Sequence, residues 1–286
     1  MYIDKNGERY YKVGLHTHTT VSDGLVSPQE MARIYKNAGY DAVAMTEHWK
    51  YTSQGEIDGL KIISGCEYNI DIDGTMHIVG IGMKTSPQID IKTATRQGVI
   101  DAIRACGGMA VLAHPAWSLN DKQDVKELHG FSFVEIYNTV SDVVMSNRPD
   151  SSYLIDSLAC DGVVIPLIAT DDVHYYNGQD DTRSFVMVKA KSGEIDDILE
   201  ALKNGEYYSS QGPYLKVTRV GNTVVAECSP CKKIAFMSNA VWTSGRMVRA
   251  DAVERAEYTP QSYESWLRVE VTDQNGNRAW SNILKL

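Results

Sequence analysis

The sequence predicts an α/β fold, either a barrel or an open sheet, followed by a small all-β domain. Up to about residue 212, short apolar runs rich in β-formers alternate with amphipathic helical patterns, an order that favours parallel strands joined by crossover helices. After Gly212-Pro213 only short strand-like runs remain. These observations predict two domains, residues 1–212 and 213–286.

The first domain is predicted to contain short strands with three clear helices between them. The predicted strands are Tyr11–Leu15, Asp41–Met45, Lys61–Gly65, Ile78–Met83, Met109–Ala113, Phe133–Tyr137, Val163–Ala169 and Ser184–Val188. The first helix begins at Ser27, a capping residue that Pro28 follows and that Glu30 complements three positions later. Thr93–Cys106 and Ile195–Lys203 are the other predicted helices.

The second domain is predicted to be a β-sandwich, because turn signals at Gly221-Asn222 and Asn275-Gly276 separate its strand-like runs. These runs are Tyr214–Val220, Thr223–Glu227, Ile234–Met237, Ala240–Thr243 and Trp266–Thr272. Arg249–Glu257 fits a helix or a strand. Cys228-Ser-Pro-Cys231 has no second cysteine pair to complete a metal site, so we interpret it as a turn between strands.

Composition indicates a soluble globular protein, with 43% hydrophobic and 23% charged residues. No apolar run approaches the ~18–20 residues that span a bilayer, and the first residues lack signal-peptide features, so we expect a cytoplasmic protein without membrane contact. The five cysteines are scattered, which argues against a disulfide framework. The net charge of −9 lies in the first domain, since the second is slightly basic, and this acidity disfavours long nucleic acid as a partner. The sequence carries no signal for an oligomeric state.

The seven histidines all precede residue 175. Five come at or just after the end of a predicted strand, which is where α/β barrels build their sites. These five are His16, His18, His48, His114 and His174. His77 instead opens a strand and would reach the others from a return connection. His129 lies near a predicted helix end, and we assign it no site.

Acidic residues follow the same strands, namely Asp23, Glu47, Glu67 and Asp172. In an extended chain, residues two apart point to one side, so His16 with His18, and Asp172 with His174, can face one cluster. Imidazole and carboxylate ligands without thiolates suit zinc, manganese or iron. Separate surface or core histidines would explain the two pairs poorly. The predicted metal ligands are His16, His18, Asp23, His48, Glu67, His77, His114, Asp172 and His174.

The segments that carry these residues resemble the motifs of the PHP (polymerase and histidinol phosphatase) family. They are His16-Thr-His18-Thr-Thr-Val-Ser-Asp23-Gly24, Thr46-Glu47-His48, Gly65-Cys-Glu67, Ala113-His114-Pro115 and Asp172-Val-His174. The resemblance covers about the first 210 residues. It implies a distorted (β/α)7 barrel with two or three divalent metal ions at the strand ends, and an enzyme that hydrolyses phosphoesters or, in some branches, other esters or amides.

The resemblance also implies how the ligands are shared. A first ion would be held by His16, His18, Glu67 and Asp172, a second by Asp23, His48 and His174, and a third by His77 and His114, with Glu67 bridging. Two positions depart from the family pattern: Glu47 stands where an Asp is usual, and Asp171 where a Ser is common. Neither removes a ligand, but both would change the surroundings of the ligands.

The expected activity is therefore that of a metal-dependent phosphoesterase acting on a small phosphomonoester or short phosphodiester, with a water shared by two ions as the nucleophile. Asp172, His174 and Glu67 are the predicted catalytic residues. Arg183 and Arg148 are candidates for binding the substrate phosphate, although either would also suit a solvated surface.

The sequence allows two structural roles for each of three further residues. Glu135 fits either a contact behind the ligands or a plain salt bridge at a strand end. Tyr175 and Tyr176 would wall the pocket or pack under its rim.

Two other functions remain open. One is a metal-dependent carboxyl-ester or amide hydrolase, because the same activated water attacks carbonyl groups. The other is a non-catalytic module whose second domain binds carbohydrate through Trp242, Trp266 or Trp280. Phosphate-binding glycine-rich loops are absent from the sequence, which excludes nucleotide hydrolysis by that route.

Overall fold

The computed structural model describes residues 1–4, 7–72 and 74–286. Its strands, numbered in chain order, are β1 (Tyr2–Ile3), β2 (Arg9–Gly14), β3 (Ala42–Ala44), β4 (Gly55–Ile57), β5 (Leu60–Ile63), β6 (Gly65–Ile70), β7 (Met76–Ile81), β8 (Met109–Ala113), β9 (Phe131–Asn138), β10 (Leu167–Thr170), β11 (Phe185–Lys189), β12 (Tyr207–Ser210), β13 (Leu215–Val220), β14 (Thr223–Ser238), β15 (Met247–Tyr258), β16 (Trp266–Thr272), β17 (Arg278–Trp280) and β18 (Leu284–Lys285). The α-helices are α1 (Pro28–Asn37), α2 (Arg96–Ala105), α3 (Lys122–Lys126), α4 (Ser152–Cys160) and α5 (Ile195–Lys203), and a π-helical turn covers Ser141–Met145. Over the described ranges, every helix is too short or too polar to cross a membrane.

The strands form two sheets around a shared core. One sheet has the order β13-β14-β16-β17-β12-β11-β2-β3-β5-β4, and the other has the order β10-β9-β8-β7-β6. Val13 of β2 and Val111 of β8 are buried in the same apolar cluster, so the two inner faces pack together. Within the described residues, the strand ladders form two sheets that do not close into one barrel, although hydrogen bonds such as that from Asp172 N to His16 O join their ends, and the distorted (β/α)7 barrel stays a prediction.

Strand direction agrees with the prediction only in part. β2, β3 and β5 are parallel, as are β8, β9 and β10. β7 is antiparallel to both of its neighbours, and β11 is antiparallel to β2 and β12, so the prediction of parallel pairing was wrong for these strands. Because β7 runs backwards, its second residue, His77, lies opposite Ala113 at the end of β8.

The predicted helices form with small shifts at their ends. Ser27 caps α1 by accepting a hydrogen bond from the Glu30 backbone N, as the sequence indicates. The second helix begins at Arg96 rather than Thr93, because Thr95 is its cap. α5 has the predicted bounds.

The chain after residue 213 is entirely strand and turn in the structure. β14 is a single strand of 16 residues that includes two predicted strands, and Cys228 and Cys231 lie inside it at shifts of register. The turn predicted there was therefore wrong. Ala240–Thr243 is not a strand but part of the connection to β15, and the ambiguous Arg249–Glu257 lies within β15.

These last strands extend the sheet of the first part. β17 pairs with β12 in antiparallel register, placing Trp280 opposite Ser209. Arg268 of β16 is buried and donates two hydrogen bonds to Asp156 of α4, at 2.7 and 2.8 Å. The two parts are therefore joined by a continuous sheet and a bidentate ion pair, and a domain boundary at residue 212 stays a prediction.

Candidate metal centre

The nine predicted ligands converge at one end of the two sheets. Their nitrogen and oxygen atoms form three groups, in each of which the atoms lie within 4.8 Å of one another. The groups are His16, His18, Glu67 and Asp172; His18, Asp23, His48 and His174; and Glu67, His77 and His114. The structure thus brings together every residue of the predicted set, and ligation of metal by each one stays a prediction.

The central group is fully buried. His16 Nε2 lies 3.2 Å from Glu67 Oε2 and 3.2 Å from Asp172 Oδ1. His18 Nε2 lies 3.0 and 3.1 Å from the same two oxygens. Two imidazole nitrogens and two carboxylate oxygens therefore surround one point, with the i, i+2 spacing of His16 and His18 placing both rings on one side.

The second group faces solvent. Asp23 is exposed, and its Oδ2 lies 3.6 Å from His48 Nε2 and 3.5 Å from His174 Nε2. The His174 ring also stacks on His18, with ring centroids 4.3 Å apart. Access from outside is therefore greatest at this group.

Glu67 connects the central group to the third. Its Oε2 faces His16 and His18, whereas its Oε1 lies 2.9 Å from His77 Nδ1 and 3.4 Å from His114 Nε2. The antiparallel course of β7 is what places His77 here. Glu67 therefore has one oxygen in each of the two groups, and a bridging role for it stays a prediction.

The donor atoms fit divalent cations. Across the described residues, four of the atoms that point into these groups are buried and make no hydrogen bond: His16 Nε2, His18 Nε2, His48 Nδ1 and Asp172 Oδ1. A buried polar atom without a hydrogen bond costs about 1–3 kcal/mol, so four that converge favour the binding of a further group among them. Imidazole and carboxylate groups are the ligands that zinc, manganese and iron accept.

Backbone strain marks two of the same positions. His114 has a φ of 27° and Asp172 a φ of 52°, both in the left-handed region that side chains other than glycine rarely adopt. The Asp172 backbone N donates to His16 O at 3.1 Å, which ties the end of β10 to the end of β2. Strain of this kind persists at sites where the surrounding structure holds it for function.

The carboxylates create a strongly negative environment. Burial alone would lower the pKa of His16, but Asp172 and Glu67 raise that pKa well above its ordinary value. Burial would also lower the pKa of His18, but the same two carboxylates raise that pKa to about 9. Burial would raise the pKa of Asp172, yet His16 and His18 hold it far below its usual range. A divalent cation would gain from the same potential.

Glu135 supports the ligands from behind. It is buried, and its Oε1 lies 2.7 Å from His16 Nδ1, while its Oε2 accepts from the His114 backbone N at 2.7 Å. Asn138 Nδ2 donates to Glu135 Oε2 at 2.8 Å and to Asp172 Oδ2 at 3.1 Å. Of the two interpretations of Glu135, the structure favours contact with the ligands. Asn138 was missed, since a lone amide at a strand end carries no signal.

Both residues that depart from the family pattern hold loops. Glu47 accepts hydrogen bonds from the backbone N of Thr19 and of Ser22, each at 3.1 Å, in the loop that leads to Asp23. Asp171 is buried and accepts from Tyr35 Oη at 2.8 Å and from the Ser184 backbone N at 2.7 Å. Burial raises the pKa of Asp171 to about 7. Neither carboxylate belongs to the three ligand groups.

A cavity of about 380 Å³, here called the histidine cavity, opens onto the ligands. Its lining residues are Asp23, Leu25, His48, Glu67, His77, His114, Trp117, Val140, Ser141, Asp172, His174 and Tyr175. Sequence reasoning missed Trp117, whose ring centroid lies 4.9 Å from that of His114. The two neighbouring tyrosines differ: Tyr175 lines the cavity, whereas Tyr176 packs beneath it and donates to His18 O.

The predicted phosphate-binding arginines lie elsewhere. Arg183 Nε donates to Gly178 O at 3.1 Å, and the side chain lines a neighbouring cavity. Arg148 is exposed, and its backbone N donates to Ser141 O at 3.1 Å. Among the residues that the structure describes, no lysine or arginine lines the histidine cavity. Contact of Arg183 or Arg148 with a substrate stays a prediction. His129 is exposed and outside the site, as expected.

Comparison with known proteins identifies the family of this chain. The sequence model of the PHP domain family matches residues 14–201 of this chain. The DNA polymerase III subunit alpha of Treponema pallidum is 23% identical over 68% of this chain, and a 5'-3' exoribonuclease of Haemophilus influenzae is 31% identical over 27% of it. The matches span 21% and 31% of the lengths of these two relatives.

One solved structure is similar over nearly the whole chain. It is a two-domain protein from Bacteroides vulgatus described as containing a PHP-like metal-dependent phosphoesterase, with 17% identity and a TM-score of 0.55. The alignment covers 99% of this chain and 98% of that one, so both parts of the fold recur there. The family match spans most of the residues that build the site, and the chain belongs to the PHP domain family.

Proposed function

We propose that this chain is a metal-dependent phosphoesterase that hydrolyses a small phosphomonoester or a short phosphodiester. One observation carries the proposal: four buried ligand atoms that make no hydrogen bond converge beside an open cavity. Their chemistry suits two or three ions of zinc, manganese or iron. Bound there, such ions would supply an acidified water and polarise a phosphoryl oxygen.

The chain's own residues would hold and orient this centre. Glu135 engages His16 Nδ1, which leaves Nε2 of that ring directed at Glu67 and Asp172. Glu67 divides its two oxygens between the central group and the third. Trp117 and Val140 line the cavity beside the ligands and would exclude bulk water from a bound substrate.

The size of the cavity and the acidity of the chain support a small substrate. A volume of about 380 Å³ lies at the lower end of the usual range for small-molecule sites. A net charge of −9 repels the phosphates of a long polynucleotide. The relatives named as a DNA polymerase subunit and an exoribonuclease nevertheless make a short oligonucleotide a necessary test substrate.

The two rival functions have less support. A carboxyl-ester hydrolase would use the same centre, but its neutral substrate would gain less from several cations. A carbohydrate-binding platform built from three tryptophans is not formed, because Trp266 and Trp280 are 2% and 1% exposed. Of the three, Trp242 alone is exposed, at 93%.

Hydrolysis of matched substrates tests the proposal. The full chain, loaded in turn with Zn²⁺, Mn²⁺ or Fe²⁺, would be assayed on p-nitrophenyl phosphate, bis(p-nitrophenyl) phosphate, p-nitrophenyl acetate and a short oligonucleotide. We expect metal-dependent turnover of a phosphate ester. Turnover of the acetate with none of the phosphates would overturn the class, and a preference for the oligonucleotide would overturn the proposed substrate size.

A further inference from the structure

A second cavity lies beside the histidine cavity and belongs to no part of the proposed reaction. Its volume is about 670 Å³, and we call it the amide cavity. Segment 139–143 lies between the two: Val140 and Ser141 line the histidine cavity, whereas Asp142 and Val143 line the amide cavity. Segment 172–183 likewise contributes to both. The two cavities are therefore neighbours along the same two segments of chain.

The amide cavity is polar without a net charge. Carboxamides and hydroxyls dominate its lining, namely those of Gln179, Gln211, Asn275, Asn277, Thr139 and Thr182. Thr139 Oγ1 donates to Ser184 Oγ at 2.7 Å, Asn277 Nδ2 donates to Asp273 Oδ2 at 2.9 Å, and Gln211 Oε1 accepts from the Arg278 backbone N at 3.2 Å, which leaves Gln179, Asn275 and Thr182 to meet a ligand. Its two charged side chains already have partners, since Arg183 donates to Gly178 O and Asp142 Oδ2 accepts from Tyr137 Oη at 2.7 Å. Carboxamides donate and accept hydrogen bonds at once, as the hydroxyls of a polyol do.

The wall nearest the metal centre is held rigidly. The buried carboxylate of Asp180 accepts hydrogen bonds from the backbone N of His174 at 2.8 Å, of Tyr175 at 2.7 Å and of Tyr176 at 3.0 Å. One side chain therefore anchors the start of the segment that carries both His174 and Gln179. Such bracing lowers the ordering cost when a ligand binds.

The aromatic content of the lining disfavours a nucleobase. Within the described part of the chain, Tyr137 is the one aromatic residue that lines the amide cavity. Its ring already stacks on Trp280 at a centroid distance of 5.7 Å, and the guanidinium of Arg278 lies 5.1 Å from its centroid. A base that needs a free ring to stack on would gain little here, whereas a sugar needs hydrogen-bonding groups.

We propose that the amide cavity binds an uncharged, hydroxyl-rich group, the chemistry of a sugar or another polyol. The inference rests on the proposed function: the bound group is the part of the phosphoester that remains when hydrolysis removes the phosphoryl group. The turn that carries Asn275 and Asn277 comes from the C-terminal strands, so these strands take part in substrate selection.

A binding experiment tests the cavity without catalysis. Saturation-transfer NMR on the metal-free full chain would use glucose, ribose, inositol and adenosine as probes. We expect transfer to the protons of at least one polyol, and its loss when Gln179→Ala and Asn275→Ala are combined. Asn222→Ala, an exposed carboxamide at the β13–β14 turn, is the matched control and should retain the signal. No transfer to a polyol, equal transfer in the double variant, or transfer confined to the base protons of adenosine would overturn the proposal.

A kinetic experiment tests the link to the reaction. For metal-loaded protein, the same double variant should lower kcat/KM for the preferred sugar or polyol phosphate about 10-fold, the scale of losing two neutral hydrogen bonds. Turnover of p-nitrophenyl phosphate should stay within about twofold, because its aryl group makes no such bonds. Equal losses on both substrates would contradict a selective subsite. Absence of any phosphoester turnover would instead overturn the proposed function and leave the NMR result to decide the cavity.

Discussion

Carboxylates are buried both at the strand ends of the first part and among the C-terminal strands, and their surroundings differ. Glu264 accepts hydrogen bonds from Tyr258 Oη at 2.6 Å, from the Gln261 backbone N at 2.7 Å and from Ser238 Oγ. Asp172 Oδ1 is buried without a hydrogen bond and faces His16 and His18. The contrast teaches that burial of a charge alone does not identify a candidate site, whereas convergence of buried polar atoms that make no hydrogen bond does.

The strongest way to break this comparison is to neutralise Asp172. Asp172→Asn keeps the shape of the side chain and tolerates the left-handed backbone, but it removes the charge that would hold a cation. Since losing a residue behind a ligand typically costs 10–100-fold, we expect a loss of more than about 100-fold in kcat for a phosphoester. Near-normal turnover, with an unchanged circular dichroism spectrum, would contradict the assignment of Asp172.

Metal addition should stabilise the protein through the atoms that lack partners. At free metal about 100-fold above Kd, binding to the folded state alone adds about 2.7 kcal/mol to the free energy of unfolding. Calorimetry should therefore show a Tm raised by several degrees with Zn²⁺ or Mn²⁺ and restored by a chelator. The shift should shrink in Asp172→Asn. An identical Tm with and without metal would argue that the groups hold no ion.

Glu135→Gln sharpens the comparison, because it alters a carboxylate that has partners but lies against the ligands. The amide retains the size of the side chain yet cannot accept from both His16 and His114 as a carboxylate does. We expect metal affinity, measured by titration calorimetry, to fall about 10–100-fold. Because Glu135 only positions the ligands, kcat should largely recover at saturating metal. A kcat that stays low in the fully loaded variant would give Glu135 a more direct role.

The smallest effect is expected in the C-terminal strands. Glu264→Gln should lower the free energy of unfolding by about 1 kcal/mol, because one charged hydrogen-bond acceptor becomes neutral. Chemical denaturation would measure that loss. Metal affinity and kcat should equal those of the unaltered protein, since Glu264 lies outside the three ligand groups. A fall in metal affinity would show that the two regions are not as independent as their hydrogen bonds indicate.

Residues of rare chemistry were the easiest to predict. The histidines and acids at the strand ends could be assembled into one cluster because they recur at short spacing after apolar runs. Asn138 and Trp117 could not, since amides and tryptophans occur in many environments and neither has a spacing of its own. Arg183 shows the limit of such reasoning: its position shortly after His174 suggested contact with a substrate phosphate, which stays a prediction, and its guanidinium donates to Gly178 O.

The direction of each strand could not be predicted from the local sequence pattern either. An apolar run of five or six residues has the same period in a parallel and an antiparallel sheet. The reversal of β7 and the pairing of β17 with β12 depend on which runs meet in space. Cys228 and Cys231 lie inside one long strand for a similar reason, because Cys228 pairs with β13 and pairing with β15 resumes at Cys231 after a shift of register.

The sequence by itself determined the chemistry of the site, the helix starts at Ser27 and Ile195, and the change to strands after Gly212-Pro213. These are local properties: ligand type, capping and hydrophobic period depend on residues close along the chain. Only the tertiary structure decided that Glu67 faces two of the candidate ligand groups, that Glu135 lies behind His16, and that the turn at Asn275 borders a cavity beside the histidine cavity. Such contacts join residues distant in sequence, and packing of the two sheets sets them.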